Sequence, residues 1–152
     1  SAVFCGEERT IPELLSYFES IGSGDAFRRM CVLDAIILNT DRHYGNFGVL
    51  FDTDTLEVRG MAPVFDHNRS LLPELDNDQL ADPSWYLRRC KPRLGQDFIR
   101  NAKGLLTDDI RRDLTELRDF AFQQHPHILA EQERLDSLSK IVQVRIHLIL
   151  SN

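Results

Sequence analysis

Cysteine is scarce in this chain. The three present, Cys5, Cys31 and Cys90, are odd in number, far apart and without C-x-x-C spacing, which excludes a disulfide framework and argues against a zinc site. They read as free thiols in a reducing cytoplasm. No apolar run approaches the roughly 20 residues that a membrane-spanning helix needs. The N-terminus also lacks a basic segment followed by an apolar one, so neither a membrane partner nor a secretory leader is expected. Positive charge is in deficit: 18 Lys and Arg stand against 24 Asp and Glu, a net charge of −6. Non-specific nucleic-acid affinity comes mainly from Lys and Arg on phosphates, so direct nucleic-acid binding is not expected beyond a local basic patch. Internal repeats, low-complexity tracts and a dividing linker are absent as well. There is no initiator Met; the chain opens Ser1-Ala2, as an excised or processed fragment would.

What remains is a soluble, cytoplasmic chain of 152 residues, long enough for one domain with a hydrophobic core. Its 42% hydrophobic and 28% charged residues are an ordinary globular mixture, so the fold must come from pattern. Thr10 and Glu13 have capping-box spacing with Pro12 in the first turn, which predicts a helix from about residue 11 to 21 carrying Leu14, Leu15, Phe18 and Ile21 on one face. After Gly22-Ser23-Gly24, Asp25 is the expected cap of a second helix, whose apolar Phe27, Met30, Leu33, Ile36 and Ile37 recur at helical steps until about Asn39. Residues 47–65 read as a β-hairpin around the turn Asp52-Thr53-Asp54-Thr55. Residues 66–95, with Pro73, Pro83, Pro92 and the acidic Glu74, Asp76 and Asp78, read as a long loop with at most a short helix from Trp85 to Arg89. Helices follow over 96–150: a short one from Gln96 to Lys103, one capped by Thr107 and ended by Pro126, and a terminal one through Leu135, Ile141, Arg145 and Ile149. The expectation is a mainly α (α+β) domain spanning 1–152, with one hairpin.

The polar stretch "NTDRHYGNFG" joins the second helix to the hairpin, so a rigid scaffold would aim it. Asp41 precedes Asn46 by five positions, and Asp66 follows at the far end of the hairpin, which would bring Asn46 and Asp66 together. Two carboxylates and an amide so gathered suit magnesium-dependent phosphoryl transfer: one Asp orients a hydroxyl, while Asn and the other Asp hold metal against nucleotide phosphates. Plainer roles exist for each. Asp41 could end the helix in an Asx-turn, Gly45-Asn46 could be a hairpin entry, and Asp66 could be a turn residue. Arg42 reads as a structural ion pair and His43 as either a loop hydrogen-bonder or a phosphate ligand. Asp34, a carboxylate in an apolar helix, must be paired and reads as a brace to the loop. Arg88, Arg89, Lys91 and Arg93 are a solvated face or a contact for an acidic or phosphorylated partner. Trp85 and Tyr86 read as anchors of the long loop. His125 and His127 have no carboxylate or Cys at ligand spacing, which makes a weak metal site.

"LNTDRHYGNFG" followed by "APVFDHNRSL" resembles the C-terminal lobe of HipA-type protein kinases, bacterial Ser/Thr kinases of toxin–antitoxin systems, and is similar to the D-R-H-x-x-N loop of phosphoinositide-type kinases. The resemblance covers about residues 25–72. It implies a kinase-like large lobe with catalytic loop 39–48, hairpin 47–65, activation-type loop 66–95 and C-terminal helices 96–150. It implies Asp41 and His43 as catalytic residues, and Asn46 and Asp66 as ligands of Mg2+ and ATP. Phe65-Asp66-His67-Asn68 stands where kinases carry D-F-G and lacks its glycine. The implied activity is phosphoryl transfer from ATP to a protein substrate, with an antitoxin or DNA-binding partner. The glycine-rich loop and strand lysine of a small lobe are missing, so the isolated chain is expected to be inactive. Two alternatives accompany it: a non-catalytic kinase-like module that binds a partner or regulates transcription, and a lipid kinase lobe.

Overall fold

Thr10 starts the first helix through a reciprocal cap. In the computed structural model, which describes residues 9–152, its hydroxyl accepts from Glu13 N at 3.4 Å and the Glu13 carboxylate accepts from Thr10 N at 2.7 Å. Helix α1 (Ile11–Ser20) then buries Leu14 and Phe18 one turn apart. Cys5 lies outside the described residues.

Helix α2 (Gly24–Ile37) begins one residue earlier than its expected cap. Ser23 occupies the cap position, but its Oγ accepts from Met61 N at 2.9 Å instead of closing the helix, and Asp25 sits in the first turn paired with Arg29 at 2.7 Å. At the other end Leu38 turns left-handed at φ 57. Four carbonyls at a helix C-terminus lack partners within the helix. Here Asp34 O receives the N–H groups of Leu38 and Asn39, Ile37 O receives Leu71 N, and Ala35 O receives the Arg145 guanidinium. A cation from another helix thus caps α2, where the helix dipole favours it.

Strands β1 (Val49–Phe51) and β2 (Val58–Met61) form an antiparallel pair with register Val49 to Met61 and Leu50 to Gly60, interrupted by a bulge before Phe51 pairs with Val58. Helices α3 (Asn77–Ala81) and α4 (Ser84–Leu87) occupy the stretch expected to be mostly loop. Asp76 and Gln79 cap α3 reciprocally, at 2.9 and 3.0 Å, so part of the acidic cluster is a helix start. Helices α5 (Phe98–Leu105), α6 (Asp108–Glu116) and α7 (Gln132–Leu150) complete the chain. The α6 helix stops well short of Pro126. Helix α7 draws the departing chain onto itself, because Ser139 Oγ accepts from Phe122 N at 2.9 Å and Gln143 donates to Phe120 O at 2.9 Å.

The architecture is mainly helical with one small antiparallel sheet. Helix α2 is central, packed against α1, α5 and α7. Phe18 and Phe27 stack at 5.0 Å, and Phe47 from the loop joins them at 6.1 and 6.2 Å, which anchors the entry to the hairpin in the core. No helix among the described residues is long and apolar enough to cross a membrane.

Candidate functional site

The loop after α2 is organised around one buried cation. Arg42 donates through Nε and Nη2 to the two oxygens of Asp34 at 2.8 and 2.9 Å, and these side chains are only 2% and 7% exposed. A two-pronged geometry of this kind is what lets a buried pair offset its desolvation. Asn39 Nδ2 adds a third bond to Asp34 at 3.1 Å, while Asn39 Oδ1 accepts from Asp41 N at 3.2 Å. The remaining Arg42 nitrogen, Nη1, donates to Asn46 O at 2.8 Å and to Phe65 O at 2.6 Å. One nitrogen therefore holds the residue where the chain enters the hairpin and the residue where it returns. Asp34 braces the loop and Arg42 is structural, as their residue types suggested.

The four candidate residues meet different fates around this clamp. Asn46 is buried and its Nδ2 donates to Asp41 O at 2.9 Å, which closes the loop on itself. Asp41 turns its carboxylate to Arg93, 2.8 Å away, whose hydrogen bond holds the Asp41 carboxyl below the usual range. Nothing local in the sequence signals this ion pair, because Arg93 lies 52 positions downstream. His43 folds back: its Nδ1 accepts from Gly45 N at 3.0 Å. A Cβ at Gly45 would stand 2.8 Å from the ring and force it to shift. Asp66 follows Phe65 directly, is exposed, and has φ 58, a left-handed conformation that costs a non-glycine residue energy. Leu71 and Leu72, at φ 61 and 52, share this strain, and His67 Nε2 and Ser70 Oγ between them are buried without partners.

Elsewhere the candidates make local contacts, and Trp85, 51% exposed, is not buried as an anchor would be. Tyr86 accepts from Gln79 at 2.6 Å and ties α4 to α3, while Arg89 lies over the Trp85 ring at 3.9 Å. His125 Nδ1 accepts from the N–H groups of His127 and Ile128, both at 3.1 Å. Burial pushes the Cys31 thiol up to about 12, which makes it inert. No group of three or more His, Cys, Asp or Glu among the described residues is arranged to hold a metal ion.

No family model matches the chain, and no solved structure matches it. The chain is 28% identical over 98 residues to the large ribosomal subunit protein uL13 of Coprothermobacter proteolyticus, an alignment covering 60% of this chain. It spans 64% of that protein's length. The kinase assignment is overturned by this similarity. The curated relative bears the name of a ribosomal protein, and no kinase family model matches, so the HipA-like identity, the ATP-to-protein phosphoryl transfer and the toxin–antitoxin setting are corrected. The physical reason for the misreading is visible. A loop of Asp, Arg, His and Asn feeding a hairpin has the spacing of a phosphoryl-transfer site, yet Arg42 and Asn46 serve here as an internal clamp on the hairpin entry. The catalytic role of Asp41 rested on that spacing together with the resemblance, and the role of His43 on the resemblance.

Proposed function

We propose that this chain is a non-catalytic module of a larger cytoplasmic assembly, and that its hairpin docks by pairing with an extended segment of a partner protein. The supporting observation is the hairpin surface. Leu50 is 51% exposed and Leu56 72%, and Phe51 and its cross-strand partner Val58 are exposed as well. Large apolar side chains grouped on one element mark an interaction surface more often than isolated ones do. Among the described residues the sheet has only two strands, so neither has a strand partner on its outer edge, although Ser23 takes up the Met61 N–H of β2; an open strand edge is the feature that strand addition uses. The similarity to a protein of the large ribosomal subunit supports membership of an assembly. The charge of −6 favours a protein over nucleic acid as the surface touched.

Were this module to take Mg2+ and ATP, they would be ligands and not co-substrates. Asn46 keeps its Oδ1 available, because its bond to Asp41 uses Nδ2, and Asp66 stands at the far end of the Arg42 clamp. These two would hold the metal and, through it, the phosphates. Gel filtration and sedimentation of the chain expressed in its own cells test the docking claim. The wild-type chain is expected in fractions far above its 17.5 kDa, and the double variant Phe51→Asp/Val58→Asp at the monomer position with its thermal midpoint unchanged.

A further inference from the structure

Away from the hairpin edges, the loop side that carries His43 and Tyr44 forms one wall of a cleft of about 850 Å3, closed opposite by the turn at Leu94-Gly95 and by α5. That volume lies in the range of small-molecule sites. Its lining combines apolar Ile11, Leu15 and Leu105 with basic Arg9, Arg93, Arg100 and His43, and among the described residues no Asp or Glu lines it. Arg93 is matched by Asp41 at the rim. Arg100 meets only the neutral amide of Gln96, at 3.5 Å, and has no carboxylate partner among the described residues. The turn after Arg93 is tied to α5, which carries Arg100: Asn101 Nδ2 donates to Leu94 O at 2.8 Å, and Gly95 at φ 73 lies so close to Asn101 that a Cβ would collide with it.

We infer that this cleft binds a small amphipathic anion, an organic molecule whose carboxylate meets Arg100 and Arg93 and whose hydrocarbon body lies on Ile11, Leu15 and Leu105. A guanidinium offers a carboxylate two parallel donors, and the ring of His43 is among the lining groups. The apolar wall supplies the remaining affinity by burial. The site is separate from the hairpin surface, and neither claim needs the other.

Isothermal titration calorimetry of the whole chain with octanoate, 1-octanol and inorganic phosphate tests the inference. Octanoate is expected to bind saturably, at least about tenfold more tightly than either of the others. Equal binding of octanol would show a merely greasy groove, and equal binding of phosphate a mere ion site; either result, or no binding of octanoate, overturns the claim. Two variants address place. Arg100→Glu reverses the charge of an exposed side chain. Gly104→Trp fills the cleft from α5, where nothing stands within 4 Å of the new Cβ. Each should weaken octanoate by about tenfold or more with an unchanged circular dichroism spectrum, while Lys103→Glu, outside the lining, should stay within about twofold. A loss in Lys103→Glu as large as in Arg100→Glu would reduce the effect to net charge and sink the assignment.

Discussion

Arg42 is almost out of contact with water and is bonded on all its nitrogens, so its removal leaves the Asp34 carboxylate buried and unpaired. Breaking a buried pair in this way costs about 3–5 kcal/mol. Arg42→Ala should lower the unfolding free energy in urea by that amount, and should also speed hydrogen exchange at the Met61 and Ala62 amides, because the base of the hairpin loses its tie. Arg59→Ala, which breaks an exposed pair with Asp52, should cost less than about 1 kcal/mol. Arg145 is the second buried cation that organises backbone. Burial pulls its guanidinium down to about 10, yet it bonds Ala35 O and lies 5.6 Å from the Phe98 ring, joining α7 to α2 and α5. Arg145→Ala should cost about 1.5–3 kcal/mol, the range for a hydrogen bond to a charged group, read by the same urea titration. The pairing of Asp34 was legible because a carboxylate in an apolar helix has few alternatives. The partner of Asp41 was not, since Arg93 sat in a basic run that looked like a solvated face.

At the scale of the element, the hairpin tip carries its own pH dependence. Asp52 accepts from Thr55 N, from the Arg59 guanidinium and from Asp54 N, in that order of influence, and its carboxyl is held down to about 2. A carboxyl depressed in the folded state adds stability above its ordinary value near 4 and loses that stability as the pH falls through the folded value. The tip should therefore loosen between about pH 4 and pH 2, seen as loss of the Asp54 and Thr55 amide shifts in NMR spectra, and Asp52→Asn should abolish the transition in that window. Helix α1 was readable from its cap and apolar periodicity, and α7 from apolar periodicity alone. Helix α3 was masked because Glu74, Asp76 and Asp78 read as an acidic loop, although Asp76 and Gln79 have the same cap spacing as Thr10 and Glu13. The continuation of α6 toward Pro126 failed for a tertiary reason: Leu117 stays half exposed, and the α7 side chains Ser139 and Gln143 outcompete the helix for the backbone at 120 and 122.

For the molecule as a whole, the sequence patterns placed the hairpin and the loop that feeds it but misassigned what they do. Spacing alone could not distinguish an Asp-Arg-His-Asn loop that handles phosphate from one whose Arg and Asn tie a hairpin to a helical core. The cleft beside that loop was invisible in the sequence, because its walls come from α1, the loop and α5. The exposed hairpin is the feature on which the assembly role depends. The measurement that tests it most directly is the sedimentation of Phe51→Asp/Val58→Asp beside the wild-type chain in extracts of its own cells. Docking through the hairpin predicts fast sedimentation for the wild type and release of the folded variant to the monomer boundary. Identical sedimentation of the two, whether fast or slow, would contradict it.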